Sequence, residues 1–570
     1  QKFESSDCRE QAYIKYWNDY ALVQAFRDDQ FPVREDWNDR PLYTGYLSRY
    51  LKRAIVRRDI SFVYSLQKGS KRLWPELSEV KKLKALEKHF ERFSTPHAPL
   101  LSPDEERSVG KFIVDTSQMV FSRSQKTPSS RFLPPNRKAV VNNYTKFMPS
   151  HSACIQAGRR EGGSHSLFDS FTYEEPQPEI VVLKSTSGGS PSWREARLGL
   201  LPDLNHKLHL WRVSQLAHAN AQAERNFLDG KQLDLEVMAI PEPSKFRIIT
   251  KGDGYLYTAL QPLQGYLLDC WKNHYASSMR DEDLTDRVQR IDEEITFMSR
   301  GGARWCSVDY EAATDLLNPE ATRLALLGAY QAPGIALGLQ SIRLGGRVIY
   351  PDLGNKECEM KGGQPMGHPL SFPLLCVINL SVYLAAVSDY YHWRSTETEI
   401  YKKPLEQGQL ESIRRCVLVN GDDMLFKGDR WLYSFFLNRS REVGFKISQG
   451  KNYFSPDCCM INSQIFRRVG GVMRRYGYLN LEFIMGHSLK KGDSTCLPTQ
   501  IGKEVNHMIS LCPWAEGMIP TIFSRFRRNP DKTFCPNWFL PVHLGGYGLD
   551  PRYCRGDLGI TRHQRRVAAL

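Results

Sequence analysis

The segment Arg414–Asp429 reads RRCVLVNGDDMLFKGD. Two short apolar runs, Cys416–Val419 and Met424–Phe426, flank Asn420-Gly421-Asp422-Asp423. Runs of this length bounded by turn residues predict strands. An Asn-Gly pair supplies the positive φ angles of a tight hairpin. The segment therefore predicts a β-hairpin with two adjacent carboxylates at its tip. Two like charges there cost free energy unless a cation neutralises them. Solvent would screen them on an exposed turn, and Gly-Asp-Asp occurs by chance. The apolar strands on both sides are what make the pair specific.

A second acidic cluster lies upstream, in RWCSVDYEAATDLLNPE, Arg304–Glu320. Trp305–Tyr310 reads as a strand with Asp309 at its end. Asn318-Pro319-Glu320 reads as a helix start: Asn as N-cap, Pro in the first turn, an acid at the positive end of the dipole. Alone, Asp309 would be an ordinary acid between strand and helix. With the hairpin, Asp309, Asp422 and Asp423 make three carboxylates on two strands. An all-oxygen set suits Mg²⁺ or Mn²⁺. Two such ions about 3.5–4 Å apart clamp the attacking and leaving oxygens of an in-line phosphoryl displacement.

Charge points the same way. Lys and Arg number 77 against 63 Asp and Glu, a net charge of +14. That excess favours a polyanionic partner, nucleic acid before a membrane surface. The implied chemistry is nucleotidyl transfer on a nucleic acid. The 570 residues are 41% hydrophobic and 25% charged, which excludes a mainly disordered chain. At about 150 residues per domain they make roughly four domains or one multi-lobed enzyme. The 13 cysteines include no C-x-x-C pair, so a secreted disulfide framework is excluded. They read as reduced and mostly buried, in a cytosol-like compartment. Cys496, His507 and Cys512 lack a zinc-site spacing.

QKFESSDCRE, the first ten residues, holds neither an apolar run nor Met, so no signal peptide is visible and the true start is expected to lie upstream. Residues 1–93 read as helical and basic. EVKKLKALEKHFERF places Val80, Leu83, Leu86, Phe90 and Phe93 at helical spacing, and its Lys-rich face reads as a solvated one. Ser102-Pro103-Asp104-Glu105 resembles a helix start, and residues 126–138 and 185–205 read as breaks. Gly362–Ser388 contains no charged residue, yet Gln364, three prolines and Asn379 make it a loop running into a buried helix, not a bilayer span.

SVDYEAATD, GGQPMGHPLSFPLLCVIN and VNGDDMLF, in this order, resemble the palm motifs of viral RNA-directed RNA polymerases. The resemblance is narrowest to the ourmia-like viruses (botourmiaviruses); narnavirus, mitovirus and RNA-phage polymerases are similar but less close. It covers roughly residues 150–550. It implies an α+β right-hand polymerase with an antiparallel palm sheet and a largely helical periphery. The expected division is a helical N-terminal extension over 1–138, fingers over 139–300, palm over 301–470 with a fingers-like insertion at about 325–361, and thumb with a basic tail over 471–570.

Further roles follow from the resemblance. Asp309, Asp422 and Asp423 would hold Mg²⁺, with Mn²⁺ as substitute. Asp315 resembles the acid that selects ribose, a fitting acceptor for a 2′-hydroxyl. Gly362, Gly363 and Gly367 would let the backbone approach a base pair, and Ser371 matches a small hydroxyl residue near the sugar. The helix here is expected to start near Pro369, with Asn379 as a possible buried polar residue. PEPSKFRIITKGDG resembles the finger segment whose Lys245, Arg247 and Lys251 would flank the triphosphate. FKISQGKNYF offers Lys451, or alternatively Lys446, as the acid that protonates departing pyrophosphate, and INSQIF would support the primer. SACIQAGRREGG resembles a template-entry element with Arg159 and Arg160, and Arg525 in RFRR would contact the duplex. RWLYSFFLNRSREVG reads as a helix stopped by Gly444, and the glycines of NWFLPVHLGGYGLD imply tight packing. The partners implied are a single-stranded RNA template, the nascent duplex, NTPs and host factors, without a transmembrane segment. The site implied is the host cytoplasm, with mitochondria as the alternative. A reverse transcriptase is disfavoured by Gly421 and Asp315. A non-catalytic basic RNA-binding protein is disfavoured by the intact acids.

Overall fold

The structure is a computed structural model that describes residues 7–28, 42–69, 78–100, 105–122, 150–169, 204–230, 233–242, 245–299, 302–331, 344–396, 405–448, 451–480, 498–520, 537–544, 546–553, 560–562 and 565–566. The fold is mixed α+β, with three small sheets among many helices. In chain order the strands are β1 (Leu235–Glu242), β2 (Lys245–Lys251), β3 (Arg304–Val308), β4 (Arg347–Tyr350), β5 (Lys356–Glu359), β6 (Val417–Asn420), β7 (Asp423–Gly428), β8 (Tyr453–Ser455), β9 (Cys458–Ile461), β10 (Gln464–Val469) and β11 (Val472–Tyr476).

The central sheet runs β6-β7-β3-β8, antiparallel throughout. The expected hairpin is present, but Asn420 pairs with Asp423, so the two-residue loop is Gly421-Asp422, one residue on from the Asn-Gly pair, and Asn420 and Asp423 belong to the strands. Gly421 takes φ +66°, and a side chain there would also press on the Phe372 ring at 3.1 Å. β7 pairs with β3 from Met424–Val308 to Gly428–Arg304, which brings the end of β3 beside the hairpin. Trp305, Cys306, Leu425 and Phe426 are fully buried, so both faces of this sheet are covered.

The helix Ser371–Thr396 packs into the same core and contributes Leu374, Val377, Ile378 and Leu380. It is long and apolar enough to cross a bilayer, but 89% of its most apolar window is buried in the protein, as in a core helix. Each fully buried aliphatic side chain here is worth about 1.5–3 kcal/mol. The helix begins at Ser371, two residues after the expected start, and Pro373 sits in its first turn, where no helical N–H is missed.

Other helix limits follow local chemistry. Asn318 accepts the Glu320 N–H and opens Pro319–Gln331. Asp429 accepts from Trp431 and Leu432 and opens Arg430–Glu442, which Gly444 stops at φ +88°. Ser108 caps Val109–Phe121 by accepting the Lys111 N–H, while Ser102, Pro103 and Asp104 of the start read from the sequence lie outside the described residues. In Glu79–Ser94, Leu86 and Phe93 are buried, whereas Val80, in the first turn, is 61% exposed.

The N-terminal helices Asp7–Phe26, Gly45–Arg57 and Ile60–Gly69 do not stand apart. Leu22, Phe26, Ile60 and Tyr64 share one apolar cluster with Tyr453, Cys458 and Ile465. Arg58 seals the contact with a two-pronged bond to Asp457, Nη1–Oδ2 2.5 Å and Nη2–Oδ1 2.7 Å. Toward the C-terminus, Leu549 and Tyr547 pack on Val505 and Ile509 of the helix Pro498–Leu511. A Cβ at Gly502 would lie 1.7 Å from the Tyr547 carbonyl, and one at Gly546 would lie 2.0 Å from that of Leu540. The tight packing expected of this segment is present.

The described cysteines carry free thiols, all buried except the half-buried Cys358. His507 is exposed and Cys512 buried, while Cys496 lies outside the described residues. The segment 185–203 and Arg525 also lie outside them.

Candidate active site

Asp309 leaves β3 where that strand ends, and its backbone is held from several sides. Its N–H donates to Asn452 Oδ1 at 3.0 Å, and its carbonyl accepts from Asn452 Nδ2 at 2.8 Å and the Ser448 N–H at 2.9 Å. Its carboxylate is freed from backbone duty and meets Lys451 Nζ at 2.5 Å. Of the two candidate lysines, Lys451 is thus the one brought to Asp309. Lys446 pairs instead with Glu311 at 3.1 Å. Burial alone would lower the Lys451 ammonium, but the Asp309 charge beside it outweighs this and holds its pKa above the ordinary value.

Asp422 and Asp423 sit at the hairpin tip opposite. Burial, then the Asp309 charge, raises the Asp422 carboxyl, while Lys451 and Arg247 pull it back. Burial, then the charges of Asp422 and Asp309, pushes Asp423 up to about 7. Three mutually repelling carboxylates make a site that wants positive charge. In donor type they fit a divalent cation. They are not yet closed around one: among the described residues no three His, Cys, Asp or Glu side chains are drawn together as a ligand set. Lys451 supplies part of the missing charge.

A sign follows for stability. Asp423 has a folded pKa near 7 against an ordinary 3.8. Its contribution is full below 3.8 and is lost as pH rises through 7. A divalent cation should reverse that loss. Mg²⁺ is therefore expected to raise the melting temperature more at pH 8 than at pH 5.5. Equal shifts at the two pH values would show that these carboxylates are not the groups that bind it.

Asn379 ties the two strands' ends together. It accepts from Tyr310 Oη at 2.9 Å and donates to the Gly421 carbonyl at 3.0 Å. The residue read as a possible buried polar group is a bridge between the Asp309 strand and the hairpin loop. A cavity of about 130 Å³ is lined by Asp309, Asp423 and Lys451 and by Tyr64, Gln67 and Lys68 from the helix Ile60–Gly69.

The basic strand β2 places Lys245 and Arg247 on one exposed face, as alternation requires. Glu242 lies between them, 2.8 Å from Arg247 and 3.8 Å from Lys245. Lys251 differs: it is buried and ion-paired with Glu236, its partner across the β1–β2 ribbon. The ribbon reaches the glycine loop through Thr250, whose N–H and hydroxyl both donate to the Met366 carbonyl, at 2.8 and 3.0 Å. Gly367 follows at φ +123°, where a Cβ would come within 2.4 Å of the Thr250 carbonyl.

Ser371 is buried and donates to the Pro365 carbonyl at 2.9 Å, which pins the loop at the helix start. Gly363 is buried under the Phe93 ring and gives its N–H to the Leu317 carbonyl at 2.9 Å. Arg159 and Arg160 are exposed on a short 3-10 turn between Gly158 and Gly162. The segment leading into that turn reaches the end of β2: the Ile155 N–H donates to the Gly252 carbonyl at 3.0 Å.

Asp315 is paired to Arg92 Nη1 at 2.9 Å. The Lys-rich helix Glu79–Ser94 therefore turns part of its basic face to the site, not wholly to solvent. Arg92 and Asn452 both escape the sequence reading. Asn452 follows Lys451 directly and a polar pair at that point was a usable signal. Arg92 lies 223 residues from its partner and had none.

No family model matches the chain. The RNA-dependent RNA polymerase of Ourmia melon virus (isolate Melon/Iran/VE9) is 24% identical over 603 residues, taking in 96% of this chain and 63% of that protein. The chain thus spans less than two thirds of that relative's length. Among solved structures, the insertion loop deletion mutant of the RNA-dependent RNA polymerase of a human picorbirnavirus matches at a TM-score of 0.47, with 11% identity over 84% of this chain and 82% of that one. Along nearly its whole length, the chain is similar to the polymerase of an ourmia-type virus, the group its three motifs resemble.

Proposed function

We propose that this chain is an RNA-directed RNA polymerase that copies a viral RNA genome from NTPs. The observation that carries the reading is the convergence of Asp309, Asp422 and Asp423 at the ends of adjacent antiparallel strands, under the charges of Lys451 and Arg247. Opposed acids with cations around them suit phosphoryl transfer better than any use of a solvated turn. The right-hand division belongs to the same proposal: a helical N-terminal extension over 1–138, fingers over 139–300, palm over 301–470 with a fingers-like insertion at about 325–361, and thumb with a basic tail over 471–570.

Bound at the three acids, divalent cations, Mg²⁺ or Mn²⁺, would supply charge neutralisation at the reacting phosphate oxygens and a more acidic 3′-hydroxyl. The chain's own residues do the rest. Lys245 and Arg247 draw in the triphosphate, exchanging Glu242 for phosphate oxygens. Asp315 accepts from the ribose, and Ser371 holds the loop against the sugar. Lys451, protonated at neutral pH, can give its proton to the departing pyrophosphate, a contribution typically of about 10²–10⁴-fold. Holding the 3′-hydroxyl and the α-phosphate in line supplies much of the remainder. Single-stranded template, nascent duplex and host factors are the proposed partners. Arg159, Arg160 and Arg525 are the proposed RNA contacts, and host cytoplasm or mitochondria the proposed site.

The test is RNA synthesis by the purified protein on a single-stranded RNA template with labelled NTPs and Mg²⁺. Template-length product is expected. RNA binding without any product, in Mg²⁺ and in Mn²⁺ and with a primer supplied, would overturn the reading in favour of a binding protein.

A further inference from the structure

Helix Glu79–Ser94 ends against two segments of the site at once. The N–H groups of Lys361 and Gly362 donate to the Phe93 carbonyl at 2.7 and 3.1 Å. A Cβ at Gly362 would lie 2.3 Å from the Arg92 carbonyl, so only glycine lets the loop approach so closely. The next two N–H groups of that loop, Gly363 and Gln364, donate to the carbonyls of Leu317 and Thr314 at 2.9 and 2.7 Å. The end of the helix, the loop leading to Ser371 and the turn that carries Asp315 are therefore one hydrogen-bonded body.

Arg92 projects from that body onto Asp315. Its Nη1 donates to Oδ2 at 2.9 Å, with side chains 16% and 15% exposed. Its Nη2 lies 3.6 Å from Glu311, which Lys446 and Lys88 also approach. His89 Nε2 lies 3.9 Å from Asp315 Oδ1. Burial, only partly offset by the Asp315 charge, lowers the His89 pKa to about 4, and its Nδ1 is engaged with Tyr350 Oη at 2.9 Å. The positive charge facing Asp315 is thus that of Arg92. Oδ1 has the longer contact, 3.3 Å from Thr314 Oγ1. One carboxylate oxygen is held by a guanidinium, and the other keeps acceptor capacity for an incoming hydroxyl.

We infer that Arg92 is a positioning residue for sugar selection: by fixing one oxygen of Asp315 it aims the other at the 2′-hydroxyl of the incoming nucleotide. This rests on the nucleotide-binding role proposed for Asp315 above. A site built to hydrogen-bond a hydroxyl discriminates strongly against the analogue that lacks it, because the acceptor is left unpaired. That discrimination requires the acceptor to stay in place. Without Arg92, Asp315 loses the contact that fixes its rotamer, and ribose and deoxyribose become less distinct.

The experiment compares single-nucleotide extension with an NTP and with the 2′-deoxy NTP of the same base. It uses the full chain and the variants Arg92→Ala, Arg92→Lys and Asp315→Asn. In Arg92→Ala the ratio of kcat/KM for NTP over dNTP should fall roughly tenfold or more. The fall should come from a higher KM for the NTP, with the dNTP parameters little changed. Arg92→Lys, which keeps the charge and loses the planar fork, should lie between. Adding Arg92→Ala to Asp315→Asn should lower the ratio no further. The inference is overturned if both Arg92 variants keep the wild-type ratio while Asp315→Asn loses it. It is equally overturned if they lose kcat alike on both nucleotides, as a purely structural residue would. An unchanged ratio in Asp315→Asn would instead sink the ribose role of Asp315 itself.

Discussion

Asp422→Ala is expected to abolish template-directed synthesis, with a fall of about 10³-fold or more, while RNA binding stays within about twofold. Neutralising charge at a transferring phosphate is worth several kcal/mol, and each 1.36 kcal/mol is a factor of ten in rate. Asp422 sits in the two-residue loop between β6 and β7, so its side chain carries no strand pairing. The loop's own geometry rests on Gly421 and on its bonds to Asn379 and Cys376. The variant should therefore fold as the parent does. Removing one of three repelling carboxylates should even raise stability slightly when no divalent cation is present, because Asp423 then ionises more easily. Primer extension and filter binding on the same preparation check both parts. Synthesis surviving in Asp422→Ala would mean that the metal site lies elsewhere.

The largest stability effect should come from Lys427, five positions beyond Asp422 on β7. Its ammonium meets Asp292 at 2.7 Å, with side chains 2% and 4% exposed, and it lies 5.6 Å from the Trp305 ring centroid. Burial lowers the Lys427 pKa, and the Asp292 carboxylate counters part of that fall. Removing one member of so deep a pair leaves the other charge buried. Lys427→Ala is expected to cost about 3–5 kcal/mol. Arg468, 3.5 Å from Asp292, compensates only in part, being the longer contact. The double change Lys427→Met with Asp292→Leu should recover most of the loss, since no charge is then stranded. Urea unfolding of the three variants measures this. A loss below about 1 kcal/mol in Lys427→Ala would place the pair in contact with water.

Much of the catalytic frame was legible locally. The hairpin and the strand ending at Asp309 follow from short apolar runs and a glycine turn, although the loop falls on Gly421-Asp422 and not on Asn-Gly. The helix start at Asn318 was readable from its Asn-Pro-Glu run, whereas the Asp429 cap was not singled out. Nor was the cap at Ser108 singled out, although a serine directly before an apolar helical run is a usable local signal. The exposed face of β2 was readable for Lys245 and Arg247, yet the same alternation did not reveal that Lys251 is buried and paired with Glu236.

The sequence by itself determined where the three acids stand along the chain and which turns present them, because turn and strand preferences are set by neighbours a few residues apart. Only the tertiary structure decided which cation faces which acid. Lys451 was singled out over Lys446 by its bond to Asp309, 142 residues away. Arg92 reached Asp315 from a helix whose polar face looked merely solvated. Periodicity tells that a face is polar, not what it faces. That depends on helices docking over hundreds of residues, here on glycines that admit a carbonyl within 2.3 Å of where a Cβ would stand.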